Sequence, residues 1–260
     1  MASHASTHRN ERLLHAGPVA AGFDFSDWRA LRPAPPVEVS REEPLQPSVQ
    51  DWERVSAFLL LTFLLPPMLL LAAAIKLESP RGPVLYAQER VGLNRRRENG
   101  NGHREGPERR RAPCKGRPFK ILKFRTMIPD AESVTGPVWA AKDDPRVTRV
   151  GRVLRCLRLD ELPQLLNVVT GEMSLIGPRP ERPHFVDRLS EDIPDYVHRL
   201  NVPPGITGLA QVERDYDGSV EDVRTKLKYD LFYVRNRCAL LDFKILFKTL
   251  EIMVRGKGAR

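Results

Sequence analysis

The sequence predicts a small α/β domain, mostly helical, that is attached to a membrane. Three observations predict it. Residues 55–75, "VSAFLLLTFLLPPMLLLAAAI", run for 21 positions without a charge. Two short runs, "PVLYAQ" and "FKILKF", follow with strand-like composition. Beyond them, much of the chain carries helical periodicity and helix-start signals. The hydrophobic share of 41% supports a packed core and excludes a wholly disordered chain.

Taken in order, residues 1–50 are rich in Pro, Ala, His and charge, with "RPAPPVEV" at Arg32 to Val39, and are expected to form a mostly unstructured arm. They hold no apolar core of the kind a signal peptide needs. Residues 51–78 form the membrane element. A straight helix over 55–75 would be roughly 30 Å long, just enough to cross a bilayer core. Pro66 and Pro67 sit at its middle. They remove the donors that would pair with the carbonyls of Thr62 and Phe63, and a lipid-exposed break has no replacement partners. A kinked span, a re-entrant hairpin and a buried core helix are the readings left. Length and apolarity disfavour the core helix, and the segment alone does not choose between the other two.

Residues 79–260 read as a soluble domain. "LDELPQLLNVV" is expected to be a helix with Pro163 in its first turn. "VPPGITGLAQV" reads as a Pro/Gly turn followed by a short extended stretch. Ser219 and Asp222 resemble a capping box, with Val220, Val223, Leu227 and Leu231 on one helical face. In the last helix, Lys244, Lys248, Glu251 and Arg255 make one narrow polar stripe on an apolar cylinder. That pattern fits a core helix with a solvated stripe or an amphipathic helix lying in a membrane interface, and the upstream apolar segment favours the second.

The chain carries 42 Lys and Arg against 33 Asp and Glu, a formal charge of +9, which favours anionic partners. The excess lies beyond Lys76. Residues 94–117 hold nine basic and three acidic side chains in a Gly- and Asn-rich context. This is a flexible basic insertion, either simply solvated or touching anionic lipid headgroups. Cys114, Cys156 and Cys238 are widely spaced and show no pairing or metal pattern, so they are expected to be reduced, as in the cytoplasm.

The chemistry gathers around one stretch. Arg146, Arg149, Arg152, Arg155 and Arg158 recur every three residues and lead to the adjacent acids Asp160 and Glu161. Part of the run is a solvated helix face. Arginine forks also bind phosphate oxygens, and a helix N-terminus adds unpaired N–H donors. Phosphoryl transfer with a carboxylate nucleophile uses all of these parts: one acid attacks, the other holds a Mg²⁺ ion, and cations neutralise the donor phosphates.

"KFRTM" (residues 123–127), "DPRVTRVGRVLRCLRLDELPQLLNVVTGEMSLIGPRPERP" (144–183) and "PPGITGLAQV" (203–212) resemble the bacterial sugar transferase family, the monotopic polyprenyl-phosphate phosphoglycosyl transferases. The resemblance runs from about Asp51 to the C-terminus. It implies transfer of a sugar-1-phosphate from a UDP-sugar to undecaprenyl phosphate, with release of UMP and with Mg²⁺, as the initiating step of exopolysaccharide, capsule or O-antigen synthesis. It implies that Asp160 attacks the β-phosphate and carries the phospho-sugar, with Glu161 beside it, both acids serving the metal. Arg155 matches the family's motif arginine, Lys123 and Arg125 its basic motif, and Pro178, Arg179 and Pro180 its Pro-Arg-Pro motif near the nucleotide. Arg146 joins the expected phosphate-binding set. A re-entrant membrane helix broken at a proline is also implied, with the catalytic domain on the cytoplasmic face of the bacterial inner membrane. The family's usual break is Ser-Pro, where this chain has Pro66-Pro67.

The insertion at 94–117 departs from the family pattern, which has a short Gly-containing loop there. The larger members' preceding membrane spans are not matched, because residues 1–50 cannot supply spans. Two other readings stand beside the transferase: a basic membrane-tethered adaptor for anionic lipid or nucleic acid, and a Mg²⁺-dependent phosphohydrolase. The adaptor gives Asp160 and Glu161 no role and lacks aromatic interleaving, so no nucleic-acid partner is expected. Homo-oligomerisation is left open.

Overall fold

The computed structural model describes residues 47–94, 116–129, 131, 144–213 and 220–255. The expected N-terminal arm up to residue 46, the basic insertion from 95 to 115 with Cys114, and Ser219 of the expected capping box lie outside the described residues. So do the side chains of Val220 and Arg255.

Helix α1 covers Pro47–Glu78, with Pro66 and Pro67 inside it. It is the one helix among the described residues long and apolar enough to cross a membrane. The sequence placed a break at the prolines, yet helical backbone continues through both. The helix is not a core helix either. Phe63 is 79% exposed and Leu70 73%, while only one stripe, Glu53, Ala57, Met68 and Ile75, is buried. That stripe packs along the folded domain: Ala57 against Phe119, Ile121, Leu165 and Val168, and Met68 and Ile75 against Phe124 and Leu154. Burying a side chain such as Leu154 stabilises the fold by about 1.5–3 kcal/mol.

Both ends of α1 are tied to the same domain. Near the start, Ser174 donates its hydroxyl to Glu53 at 2.6 Å, and Arg237 reaches the other carboxylate oxygen at 3.3 Å. At the end, the Glu78 carboxylate accepts the N–H groups of Arg149 (2.8 Å) and Val150 (3.0 Å), two orphan donors of the next helix.

The strand-like runs form β1 (Leu85–Val91) and β2 (Pro118–Phe124), paired antiparallel with Leu85 opposite Phe124 and Val91 opposite Pro118. The insertion therefore joins the two strands of a hairpin. Its base is closed by main-chain bonds from Gly92 to the Arg117 carbonyl (2.8 Å) and from Arg117 to the Leu93 carbonyl (3.2 Å). Gly116 turns the chain there at φ +83, and a Cβ would lie 2.3 Å from the Gly92 carbonyl, so only glycine fits.

Helix α2 (Arg149–Cys156) starts at Thr148, whose hydroxyl accepts the Gly151 N–H at 2.9 Å. Gly151 lets the helix lie against the Thr126 main chain, where a Cβ would come within 2.1 Å of a carbonyl. The single helix expected over "LDELPQLLNVV" is in fact two pieces, a 3-10 turn at Leu159–Gln164 and then α3, Leu165–Val169. Pro163 cannot donate to the Leu159 carbonyl as an α-helix requires, and the tighter winding avoids that demand.

Strand β3 (Ser174–Ile176) pairs in parallel with β4 (Gly205–Thr207). Between them lie α4 (Pro183–Asp192) and a 3-10 helix, Pro194–Asn201. The short extended stretch expected after the Pro/Gly turn is β4, and α5 (Leu209–Glu213) follows it. Two long helices close the domain, α6 (Val220–Asn236) and α7 (Ala239–Arg255). Val223 and Leu227 of α6 are buried with Val186 and Tyr196, as the apolar face expected for that helix requires. In α7, Leu241, Asp242 and Ile245 face the core, whereas Leu240, Phe243, Phe247 and Leu250 are each more than half exposed. Lys248 pairs with Glu213. A core helix would not leave so wide an apolar face uncovered.

Candidate active site

Three segments converge on the acid pair. Strand β2 brings Lys123, the 3-10 turn brings Asp160 and Glu161, and the loop after β3 brings Arg179. Placement of β2 depends on Asn167 of α3, which acts as an extra rung of the sheet. Its side-chain oxygen accepts the Leu122 N–H at 3.0 Å, and its amide donates to the Lys120 carbonyl at 2.8 Å. Before the acids, Arg158 adopts a left-handed backbone (φ 55), which turns the chain out of α2 and into the 3-10 turn.

The two acids sit in different surroundings. Glu161 is buried and held by two cations. Arg179 donates from both terminal nitrogens, at 2.5 and 3.3 Å, and the Lys123 ammonium lies 3.2 Å away. Burial opposes ionisation of Glu161, but Arg179 and then Lys123 outweigh it and hold its carboxyl well below the usual range. Asp160 is half-buried and receives no hydrogen bond among the described residues. Burial, and then the neighbouring Glu161 charge, push its carboxyl up, against the pull of Lys123, Arg179 and Arg155. Thus one acid is a fixed anion gripped from two sides, and the other is left with its oxygens open.

The remaining expected residues divide. Arg155 lies near the acids and is oriented by a bond from its Nε to the Thr126 hydroxyl at 2.9 Å. Pro178 and Pro180 are buried and stiffen the loop that carries Arg179. Arg125 is only 7% exposed and points elsewhere: its terminal nitrogens donate to the Ser79 carbonyl (2.8 Å) and hydroxyl (3.1 Å), tying β2 to the end of α1. Arg146 is spread over Asp144, with bonds of 2.6 to 3.1 Å, and also donates to the Ala131 carbonyl. Its hydrogen bonds pull the Asp144 carboxyl down to about 2. Pro66 and Pro67 lie inside α1, away from this group.

Sequence reasoning did not single out Asn167, Thr126, Arg90 or Arg199. Asn167 is an amide inside an otherwise apolar helix, "LLNVV", and that break in the pattern was the available signal. The others act through contacts far along the chain. Among the described residues no group of three or more His, Cys, Asp or Glu side chains could hold a metal. Among the described residues, the carboxylates at this place that could serve a divalent ion are Asp160 and Glu161, and Asp160 is the one that receives no hydrogen bond there. Such a site fits Mg²⁺, which keeps several waters and takes substrate phosphate oxygens as further ligands.

Fold and site together define a helical α/β domain with one long, exposed apolar helix that presents a half-buried carboxylate inside a cationic cradle. The profile of the bacterial sugar transferase family matches residues 49–99 and 104–256, and the chain belongs to that family. It is 45% identical over 195 residues to the UDP-N-acetylgalactosamine-undecaprenyl-phosphate N-acetylgalactosaminephosphotransferase of Aeromonas hydrophila, covering 75% of this chain and 41% of that protein. It is 44% identical over 208 residues to the UDP-glucose:undecaprenyl-phosphate glucose-1-phosphate transferase of Caulobacter vibrioides, covering 79% and 69%. It is 38% identical over 208 residues to the exopolysaccharide production protein PSS of Rhizobium leguminosarum bv. phaseoli, covering 76% and 91%. The chain thus spans about two fifths of the Aeromonas protein but most of the Caulobacter and Rhizobium ones.

Proposed function

We propose that the protein transfers a sugar-1-phosphate from a UDP-sugar to undecaprenyl phosphate, releasing UMP, and so starts assembly of a surface or secreted polysaccharide. The relatives' names support the substrates. One observation carries the mechanism: within the acid pair, Glu161 is engaged by Arg179 and Lys123, while Asp160 receives no hydrogen bond among the described residues.

In the first step an Asp160 oxygen attacks the β-phosphorus of the donor. The bond from that phosphorus to the bridging oxygen breaks, and UMP leaves with the electron pair. In the second, an oxygen of the lipid phosphate attacks the same phosphorus and returns Asp160 as a carboxylate. Arg179 and Lys123 hold Glu161 ionised and place positive charge beside the diphosphate. Arg155, fixed by Thr126, faces the same space. A bound Mg²⁺, held by the acid pair with Asp160 as the open member, would supply charge neutralisation on the phosphates.

We read residues 1–50 as an arm, 51–78 as the membrane element and 79–260 as the catalytic unit, with the basic insertion 94–117 within it. The anchoring of Glu53 and Glu78 to one domain supports a re-entrant arrangement, since both ends of the apolar segment then lie on the domain's side of the membrane. That side is the cytoplasmic one, where UDP-sugars are made. The exposed apolar face of α7 supports contact with the same interface. The test is a UMP-release assay across UDP-sugars with undecaprenyl phosphate and Mg²⁺. Donor alone should label the enzyme and release UMP stoichiometrically. Intersecting initial-rate lines with no trapped adduct would overturn the covalent route.

A further inference from the structure

The loop that carries Arg179 has little structure of its own. Residues 177–182 lie between β3 and α4 without helix or strand. Two of them are prolines, with no N–H to give. Gly177 donates to the Thr207 carbonyl at 2.9 Å, and the Pro178 carbonyl accepts from Gly205 at 3.0 Å. The next two carbonyls are caught by arginine side chains. Arg199, from the 3-10 helix, donates to the Arg179 carbonyl at 2.8 Å. Arg90, from β1, donates to the Pro180 carbonyl at 3.1 Å.

Arg199 is itself fixed from behind. Its side chain is 3% exposed and forks onto Asp230 of α6, at 2.9 Å from Nε and 2.7 Å from a terminal nitrogen, while its other terminal nitrogen meets the Tyr196 hydroxyl at 3.1 Å. Glu181, at the end of the loop, accepts from Arg90 (3.5 Å) and faces Lys226 (3.6 Å). Burying an ion pair is costly. An apolar pair of similar volume is often as stable, so buried pairs are weak evidence of a stabilising role. Here the pair does something an apolar pair cannot: it presents a rigid donor to a particular main-chain carbonyl.

We propose that the Arg199–Asp230 pair is a positioning device for catalysis, holding the Arg179 main chain from behind so that the Arg179 guanidinium meets Glu161 squarely. None of the bonds described for this pair reaches Asp160 or Glu161 directly. The chain of bonds runs from Asp230 to Arg199, to the Arg179 carbonyl, and through the Arg179 side chain to Glu161. The inference deepens the proposed transfer and rests on it only for turnover. Its structural content is separate.

The experiment uses full-length protein in detergent. The variant R199M/D230L replaces the pair by apolar groups and leaves no buried charge unpaired. The readout is the side-chain ¹⁵N–¹H spectrum of the Arg179 guanidinium, assigned by its loss in R179K. In the unsubstituted protein the two terminal nitrogens, both bonded to Glu161, should give separate signals. In R199M/D230L they should average into one, and UMP release should fall tenfold or more. If the double variant does not fold, R199K keeps the buried pair, but one ammonium cannot span Asp230, Tyr196 and the carbonyl together, so the same averaging is expected. Leu227→Ala, a truncation in the neighbouring core, should lower the melting temperature and leave the two signals separate. Separate Arg179 signals in the folded variants overturn the positioning role. Averaged signals in a protein that releases no UMP from any UDP-sugar would leave the positioning role standing and overturn the transfer reaction instead.

Discussion

Two carboxylates in this protein are buried about equally and behave in opposite ways. Glu161, at the front of the site, is 9% exposed and is held well below the usual carboxylate range, as Arg179 and Lys123 overcome the cost of burial. Asp230, at the rear, is 2% exposed, and burial pushes it up against the pull of Arg199. The difference lies in how the cations are shared. At the front, two cations turn toward one acid. At the rear, Arg199 divides itself among Asp230, Tyr196 and the Arg179 carbonyl. The front cluster concentrates charge beside the acid pair, and the rear cluster spends its charge on geometry.

The sharpest way to break the comparison is to remove one acid from each region. Asp160→Asn should lower UMP release by roughly three orders of magnitude or more and abolish the covalent adduct, with the melting temperature little changed. Near-normal turnover by folded Asp160→Asn would end its assignment as nucleophile. Asp230→Asn should do the reverse first: it strands Arg199 in the interior and should cost about 3–5 kcal/mol of stability, read from denaturant unfolding.

Arg179→Ala sharpens the front half. It leaves Lys123 as the remaining salt-bridge partner of Glu161 among the described residues, and loss of a charge-assisted bond worth roughly 1.5–3 kcal/mol should lower kcat/KM tenfold or more.

The pH dependence separates the regions further. Glu161 is depressed in the fold. It therefore adds stability above its unfolded value of 4.5, and that stability is lost as pH falls through its folded value. Asp230 is raised, so its contribution is present below 3.8 and is lost as pH rises through its folded value. Glu161→Gln should therefore flatten the acid side of a melting-temperature profile. For catalysis, Asp160 must be ionised and its carboxyl is raised. The acid limb of adduct formation should lie above the ordinary aspartate value of 3.8, and Lys123→Met should move it higher still.

The smallest expected effects lie on α2. Arg155→Ala should lower turnover more than Arg149→Ala or Arg152→Ala, because Arg155 is fixed by Thr126 near the acids while the other two are exposed. Equal losses at all three would make the run a general charge effect.

These contrasts also mark what could be read along the chain. The acid pair, the Pro-Arg-Pro loop, Lys123 and the apolar segment are local patterns, and local patterns are legible. The two strand-like runs were visible too, but their pairing across the long insertion was not. The 3-10 turn follows from Pro163, yet its extent depends on packing against β2. Arg125 and Arg146 read as phosphate ligands because a sequence shows a cation without showing its partner. Arg125 is committed to Ser79, 46 positions away, and Arg146 largely to its neighbour Asp144. Arg199 and Asp230 stand 31 residues apart on different elements, and nothing in either neighbourhood announces the other.

The closed base of the β1–β2 hairpin has a practical consequence. The bonds between Gly92, Leu93 and Arg117 and the left-handed Gly116 fix the strand register before the chain enters the insertion. Register is thereby uncoupled from whatever the intervening residues contain. That makes residues 95–115 a natural port for protein engineering, where an affinity tag or a fluorescent reporter could be exchanged for native sequence without shifting Lys123 on its strand.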